Sequence, residues 1–237
     1  LIGQAVNFAV TCSVFNAFWQ DRRFLPSLLQ QELALAGRLG KKSGHGVYRW
    51  PVEAPPELAL AAVSAQYAAK NIKRDVVTEL DEVLLLETTG ETALALSVQY
   101  QRPVVVYDYA AGDTVVLASA ATNPPSATDK AVYDFQQQGK KVLHIADYPG
   151  LLVWRTVAML ANEALDAVQK GVASAEDIDT AMRLGVNYPH GPIAWGESLG
   201  WRRVLRLLEN LQRHYGEERY RPSALLREKA LLEIRHE

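Results

Sequence analysis

DYPGLLVWRTVAMLANEALDAVQKGVASAEDIDTAMRLGVNYPHGP, which runs from Asp147 to Pro192, predicts two consecutive helices and a loop. The first helix is long and rich in apolar residues, and it ends at Gly171 because glycine readily adopts the positive φ that closes many helices. Ser174 begins the second helix as its N-cap, and acidic residues follow in its first turn, where the helix dipole favours them. We expect Gly185 to end this helix. Its predicted buried stripe consists of Ile178, Ala181 and Met182.

Both ends of the chain are also predicted to be helical. In PSLLQQELALAG, Ser27 is placed as an N-cap, Gln30 completes a capping box, and Gly37 follows the helix. Near the other end, WRRVLRLLENLQRHYG carries apolar residues on one helical face and arginines on the opposite face. The apolar face consists of Val204, Leu205, Leu208 and Leu211.

The middle of the chain alternates between the two kinds of element. Runs such as PVVVY and KVLHI are typical of strands that are buried on both faces, so we predict a small, mostly parallel α/β unit that is similar to half of a Rossmann sheet. The turn after its first strand is ETTGET, with one glycine, Gly90, where a dinucleotide site needs several. We therefore predict no nicotinamide site in this unit. The predicted helices are 58–72, 91–101 and 126–138, and the predicted strands are 83–87, 104–109, 114–119 and 141–146.

Composition excludes several classes of protein. A net charge of −2 gives no electrostatic reason to expect nucleic-acid binding, and no apolar run approaches the roughly 20 residues of a membrane-spanning helix. Cys12 is the single cysteine of the 237 residues, so the sequence predicts neither a disulfide framework nor a thiolate metal cluster, as is usual in the reducing cytoplasm. The histidines lack the spacing of metal ligands, and we predict no metal site.

An internal repeat relates the two ends of the chain. RFLPSLLQQELAL at 23–35 aligns without a gap with RYRPSALLREKAL at 219–231, and Ile2-Gly3 corresponds to Leu199-Gly200 in a register one residue different. The second copy is preceded by two helices that have no counterpart before the first copy. We therefore expect this chain to be the C-terminal part of a longer protein.

Three segments carry a resemblance to a known family. DYPGLLVWRTVAMLANEAL, KGVASAEDIDTAMRLGVNYPHGP and GRLGKKSGHGVYRW resemble the C-terminal domain of 3-hydroxyacyl-CoA dehydrogenases. Residues 1–50 look like the end of a first copy of that domain, and residues 147–237 look like a second copy. The tandem arrangement looks most like the branch that oxidises 3-hydroxyadipyl-CoA in bacterial phenylacetate degradation. The resemblance implies a mainly α chain with a small α/β insert, in which helical domains flank a degenerate Rossmann-like unit.

The resemblance implies an oxidoreductase that moves hydride from a 3-hydroxyacyl-CoA to NAD. The family's catalytic His–Glu pair and its NAD site belong to an N-terminal domain upstream of Leu1, so no catalytic or cofactor-binding residue is expected in this chain. The family asparagine that reaches the active site is replaced here by Trp154, and Arg155 matches the family. The family's YPMGP loop lies near the acyl pocket. The implied substrate-binding positions are therefore Trp154, Arg155, Tyr188, Pro189, His190, Gly191 and Pro192.

Two features of the sequence each allow two interpretations. His190 stands where the family has methionine, and it either lines a substrate pocket or belongs to a rigid corner flanked by prolines. The segment GRLGKKSGHG either binds a phosphate of CoA through its glycine backbone with Lys41 and Lys42, or is a structural tail. In the second case, the side chains that pack back onto the core are Val47, Tyr48 and Trp50.

The sequence thus predicts four segments: the end of a helical domain at 1–50, a linker at 51–56, an α/β unit at 57–147 and a second helical domain at 148–237. Two functions are compatible with them. In the first, the segments belong to a cytoplasmic, NAD-dependent 3-hydroxyacyl-CoA dehydrogenase that acts on an acyl-CoA substrate. There they pair subunits and shape the acyl side of the site. In the second, they form an inert dimerisation or scaffold module. Amphipathic helical faces favour a symmetric homodimer in both cases.

Overall fold

The computed structural model describes residues 3–51, 59–61, 63, 71–74, 77–110 and 112–234, with backbone only at 71–74 and 77. Contacts divide the chain into two units. The first comprises Leu1–Leu58 with Glu217–Arg219, and the second comprises Ala59–Gly216 with Tyr220–Glu237.

Two helices joined by a short turn begin the described part of the first unit. Helix α1 covers Gln4–Ala17, a 3₁₀ turn covers Arg22–Phe24, and helix α2 covers Leu28–Leu35. The side chain of Gln30 accepts a hydrogen bond from the backbone N–H of Ser27 at 3.4 Å, in agreement with the predicted capping box. Gly37 has a φ of 65°, as expected after the end of a helix.

One mixed sheet lies in the second unit. Its six strands lie side by side in the order in which they occur in the sequence. The third and fourth strands are parallel, as are the fifth and sixth, and the other neighbouring pairs are antiparallel. Helices α3 (Ala93–Tyr100) and α4 (Pro125–Gln137) follow β3 and β5, respectively. The strands are β1 (Asn71–Arg74), β2 (Val77–Leu80), β3 (Val83–Glu87), β4 (Val104–Tyr107), β5 (Thr114–Ser119) and β6 (Lys141–His144).

Two predictions for this region are wrong. The sheet is not mostly parallel, because β2 and β3 are joined by two residues and β4 and β5 by six, which is too short for a parallel crossover. The predicted helix 58–72 does not reach its stated end, because Asn71 and Ile72 pair with β2 and Ala61 forms a bridge to Val142. Most of that predicted helix lies outside the described residues. The bounds predicted for β3 and β5 are confirmed.

The described residues after β6 are mainly helical. Its buried core is formed mainly by α5 and α8, with α7 and α9 packed beside them. A 3₁₀ turn at Glu218–Tyr220 precedes α9. The helices are α5 (Val153–Gln169), α6 (Ala175–Val186), α7 (Pro192–Leu199), α8 (Trp201–Tyr215) and α9 (Ala224–Ile234).

Helix α6 differs from its prediction. The N-cap is confirmed, since the Ser174 hydroxyl accepts from the backbone N–H of Asp177 at 3.1 Å. The buried stripe is wrong: none of the residues of α6 is buried, and Ala181 is exposed. Gly185 lies inside the helix, which ends at Val186 and is followed by Asn187 with a φ of 59°. Helix α6 packs against α5 and α7, and its apolar residues stay partly in solvent.

The fold therefore contains an α/β unit with a mixed sheet, and helical segments precede and follow this unit in the sequence. The four-segment division at residues 50, 56 and 147 stays a prediction. Within the second unit, the sheet and the later helices are held together by contacts that also define the candidate site.

Candidate functional site

A buried carboxylate joins the sheet to helix α5. Asp108 follows β4 and is completely buried. Its two oxygens accept hydrogen bonds from the backbone N–H groups of Leu152, Val153 and Trp154 at 2.6–2.8 Å, and one also accepts from Tyr109 at 2.8 Å. Helix α5 has no capping side chain of its own. Burial raises the pKa of Asp108 above its ordinary value, and the four backbone donors oppose that increase. Asp108 thus fixes the position from which Trp154 projects.

Trp154 fills space between the sheet and α8. Its side chain is 2% exposed and belongs to the helical core. The guanidinium of Arg203, on α8, lies 5.5 Å from the indole centroid and forms an ion pair with Glu87 at the end of β3. We call the remaining space the Trp154 cleft. It is a cavity of about 120 Å³ lined by Glu87, Thr88, Thr89, Trp154, Arg203 and Arg206.

The electrostatics of the Trp154 cleft are set by burial. Burial raises the pKa of Glu87, and the positive charge of Arg203 opposes that increase. Burial, together with the charge of Glu87, raises the pKa of the neighbouring Tyr107 to about 12, so its hydroxyl stays protonated at neutral pH. The ion pair therefore supplies charge compensation to a partly buried carboxylate.

The ETTGET turn packs against α8. Gly90 has a φ of 91°, and a Cβ added there would lie 2.6 Å from the carbonyl oxygen of Leu207. The Asn210 side chain donates a hydrogen bond to the carbonyl of Thr89 at 2.8 Å. In α/β sheets, dinucleotides bind outside the carboxyl ends of the strands. Here helix α8 occupies that place beside β3, and Gly90 permits its close approach.

Arg155 has different contacts from Trp154. Its guanidinium lies 4.9 Å and 5.0 Å from the ring centroids of Tyr215 and Tyr220 and donates hydrogen bonds to both hydroxyls. The two rings stack with centroids 5.3 Å apart. Arg155 therefore links α5 to the end of α8 and to the turn before α9.

The loop at 188–192 is built around the start of α7. The carboxylate of Asp179, on α6, accepts from the backbone N–H groups of Ile193 and Ala194 at 2.8 and 2.9 Å. A Cβ on Gly191 would lie 2.2 Å from Cγ of Asp179, so glycine is required for this contact. His190 is exposed, with its ring centroid 5.5 Å from that of Trp195. The loop borders a groove of about 450 Å³ lined by Glu176, Asp179, Thr180, Arg183, Pro189, His190, Gly191 and Ala194.

The structure does not bring the seven predicted substrate-binding residues into one cavity. Trp154 lines the small cleft beside β3, whereas Pro189, His190 and Gly191 border the separate groove between α6 and α7. Arg155 packs on tyrosine rings, Pro192 is the first residue of α7, and Tyr188 is half-buried. Their roles in substrate binding stay a prediction.

Sequence reasoning missed the carboxylates that cap distant helices. Asp179 lies on α6, yet its carboxylate caps α7. Glu233 does the same for α8: its carboxylate accepts hydrogen bonds from the backbone N–H groups of Trp201 and Arg202 at 2.6 and 2.9 Å. A signal was present, because α7 and α8 both begin after glycine without an N-cap side chain. The missed residues include Asp108, Asp179, Glu233 and the Glu87–Arg203 pair.

In the first unit, the segment GRLGKKSGHG closes on itself. The backbone N–H of Gly40 donates to the His45 carbonyl at 2.9 Å, and that of Trp50 donates to the Gly44 carbonyl at 2.8 Å. Val47 and Tyr48 are 55% and 63% exposed, so the expectation that these two pack onto the core is wrong. Hydrogen bonds inside the loop fix its path and turn both side chains outward, while Trp50 is half-buried. The phosphate-binding interpretation with Lys41 and Lys42 stays a prediction.

Two absences hold for the part of the chain that the structure describes. No group of three or more His, Cys, Asp or Glu side chains there is arranged to hold a metal ion. No helix in the same residues has the length and apolar character needed to cross a membrane.

Comparison with known proteins places these features in a family. Residues 150–233 match the 3-hydroxyacyl-CoA dehydrogenase C-terminal domain, and residues 85–149 match the 3-hydroxybutyryl-CoA dehydrogenase reduced Rossmann-fold domain. The chain belongs to the 3-hydroxyacyl-CoA dehydrogenase family.

Individual relatives agree with the domain matches. The chain is 68% identical to the 3-hydroxyadipyl-CoA dehydrogenase of Escherichia coli strain K12, over all of this chain and 50% of that protein. A crystal structure solved as 3-hydroxybutyryl-CoA dehydrogenase from Escherichia coli K12 has a TM-score of 0.96 and 68% identity, covering 100% of this chain and 50% of the other. A probable 3-hydroxybutyryl-CoA dehydrogenase of Bacillus subtilis is 31% identical over 67% of this chain and 52% of its own length. The chain thus spans about half the length of these relatives.

Proposed function

We propose that the chain is the C-terminal part of an NAD-dependent 3-hydroxyacyl-CoA dehydrogenase that oxidises 3-hydroxyadipyl-CoA to the 3-oxoacyl-CoA. The observation that carries the proposal is 68% identity, along the whole chain, to a relative of that name. We place the protein in the cytoplasm and, from the resemblance, in phenylacetate degradation. NAD, which accepts the hydride, and the catalytic His–Glu pair belong in this proposal to an N-terminal domain.

The residues of this chain do not fit NAD at the one place where an α/β sheet would offer it a site. The turn after β3 carries a single glycine, and that glycine is packed against the backbone of α8. A pyrophosphate needs free backbone N–H groups and space beside such a turn. We therefore assign no nicotinamide contact to Gly90 or its neighbours.

The second copy of the helical domain also lacks room for a substrate beside β3. Sites for drug-sized ligands have volumes of about 300–1,000 Å³, whereas the Trp154 cleft is about 120 Å³. Trp154 and the Glu87–Arg203 pair occupy the rest of the space. This observation favours a second candidate function for the chain by itself, an inert scaffold or dimerisation module. The two proposals are compatible, because a scaffold can support the acyl side of a site built elsewhere in the same protein.

Subunit pairing is the remaining part of the proposal. Helix α6 and the turn before it expose apolar side chains, with Val172 at 72%, Leu184 at 81% and Val186 at 54% exposure. Exposed apolar side chains are available for association between subunits, and we propose a symmetric homodimer. A monomeric mass for the intact protein at micromolar concentration, by light scattering, would contradict it.

The proposed activity is tested on the intact protein by following NADH formation. We expect turnover of 3-hydroxyadipyl-CoA with a higher kcat/KM than that of 3-hydroxybutyryl-CoA. Equal or higher kcat/KM with the shorter ester would overturn the substrate assignment but not the family reaction. Absence of NADH formation with either ester, on a folded sample that binds NAD, would overturn the proposed function itself.

A further inference from the structure

The internal repeat is also a repeat of local structure. Helices α1 and α8 both follow a glycine with positive φ, 82° at Gly3 and 90° at Gly200. Each leads to a 3₁₀ turn, Arg22–Phe24 or Glu218–Tyr220, and then to the second helix of its copy. Aligning the two glycines pairs each α1 position with the α8 position 197 residues later. One residue is lost in the loop after α8, which explains the change of register in the sequence repeat.

Two aligned positions differ in a way that matters for the cleft. Arg203 and Arg206 line the Trp154 cleft in the second copy. Their counterparts in α1 are Val6 and Ala9. Arg203 fills its space with a long side chain that contacts the indole of Trp154 and pairs with Glu87. Val6 and Ala9 cannot do this, and both are exposed on α1, with Val6 at 49%. The first copy therefore carries short apolar side chains where the second carries guanidinium groups.

Arg203 and Arg206 lie on one face of α8, and their contacts show which part of the α/β domain this face is directed at. In the second copy the face is directed at the carboxyl end of β3, beside the start of α5. Active sites of α/β sheets lie at the carboxyl ends of their strands. By the repeat, the same face of α1 is directed at the corresponding strand end of the domain that precedes it in the proposed enzyme.

We infer that Val6 and Ala9 line the acyl pocket of the intact dehydrogenase and help to set which acyl chains it accepts. This inference rests on the proposed function. Methyl groups suit the methylene groups of an acyl chain, because contact removes apolar surface of both from water. Their small size leaves open the space that Arg203 and Arg206 occupy in the second copy. The two copies then differ in kind: one face receives an acyl chain, and the other is closed by an ion pair.

The test uses the intact protein and introduces the second copy's residues into the first. Val6→Arg and Ala9→Arg are each compared with wild type by kcat/KM for 3-hydroxyadipyl-CoA and by the dissociation constant for NADH. We expect each variant to lower kcat/KM by about tenfold or more, since a pocket responds at this level to a single methylene. NADH affinity should be unchanged. Asn16→Arg is the matched control, because the second copy carries Arg213 at that position and the site lies roughly 10–15 Å farther along the helix.

A second pair of variants keeps the test valid if an arginine prevents folding. Val6→Ala enlarges the pocket and Ala9→Val reduces it. We expect the ratio of kcat/KM for 3-hydroxyhexanoyl-CoA over 3-hydroxybutyryl-CoA to rise in the first variant and fall in the second. An active wild type whose ratio is unchanged in both variants would refute the role of Val6 and Ala9 alone. An inactive wild type that binds NAD would refute the proposed function, and the pocket assignment with it.

Discussion

Replacing Asp108 by asparagine should weaken the attachment of helix α5 to the sheet. The carboxylate accepts four backbone hydrogen bonds, two at each oxygen. Asparagine keeps one acceptor oxygen, and its amide group turns donors toward the other two N–H groups. An unsatisfied buried donor costs about 1–3 kcal/mol, and loss of charge at the α5 N-terminus adds about 0.3–1 kcal/mol. Relief from burying a carboxylate offsets part of this cost.

We therefore expect Asp108→Asn to lower the free energy of unfolding of the second unit by about 2–4 kcal/mol. With a urea m-value of about 2 kcal/mol/M, the unfolding midpoint should fall by about 1–2 M. Tryptophan fluorescence is a suitable signal, because Trp154 leaves the core when α5 separates from the sheet. Circular dichroism of the same samples checks that both signals change together.

Asp147→Asn is the matched control. Asp147 caps α3 with the same two-oxygen geometry, accepting from Ala93 and Leu94 at 2.8 and 2.9 Å. It is only half-buried, and Thr92 supplies α3 with a cap of its own. We expect its cost to stay near 1 kcal/mol, as for an ordinary cap. Equal midpoints for the two variants would refute the conclusion that Asp108 holds helix α5 against the sheet.

Two other substitutions test the contacts of the Trp154 cleft. Gly90→Ala should lower the free energy of unfolding by about 2–4 kcal/mol, because of positive-φ strain and overpacking against α8. Gly112→Ala, where φ is 94° and the surrounding space is open, should lower it only by the strain of about 1–2 kcal/mol. Equal urea midpoints for the two variants would contradict the packing role of Gly90. Arg203→Met removes the charge that opposes the burial-raised pKa of Glu87. A carboxyl whose folded pKa is raised contributes stability that is complete below its unfolded pKa and is lost as pH rises through the folded value. The variant should therefore lose stability relative to wild type as pH rises above about 4.5, the ordinary pKa of a glutamate. Adding Glu87→Gln should abolish that dependence, and a parallel pH profile for Arg203→Met and wild type would refute the pairing.

Local patterns in the sequence predicted those parts of the fold that local interactions decide. The bounds of β3 and β5 follow from continuous apolar runs, which few other structures can bury. The Ser174 cap lies within three residues of its partner, Asp177. In contrast, the helix predicted at 58–72 does not reach Ile72, because Asn71 and Ile72 pair with β2, and such pairing can override a local helical preference. Sheet direction was wrong because connection lengths, not strand composition, decide it.

The candidate site could be predicted only in part, because its contacts join distant segments. Trp154 was recognised as the departure from the family pattern, but its burial depends on α8 and β3. The ion pair joins residues 116 positions apart, and Asp108 reaches α5 across 44 to 46 positions. The repeat did contain a usable signal: arginines at 203 and 206 stand against Val6 and Ala9. That difference, which is visible in the sequence alone, distinguishes the second copy, whose cleft is closed by an ion pair, from the first.

We propose that this chain lends structure to a dehydrogenase, while the Trp154 cleft of its own second copy binds neither substrate nor cofactor. Calorimetric titration of the purified 237-residue chain with NADH and, separately, with acetoacetyl-CoA tests it most directly. On a sample that melts cooperatively, we expect no saturable heat from either ligand. Saturable binding of acetoacetyl-CoA would show that the second copy keeps a substrate site, and saturable binding of NADH would contradict the reading of the Gly90 turn as a helix-packing contact.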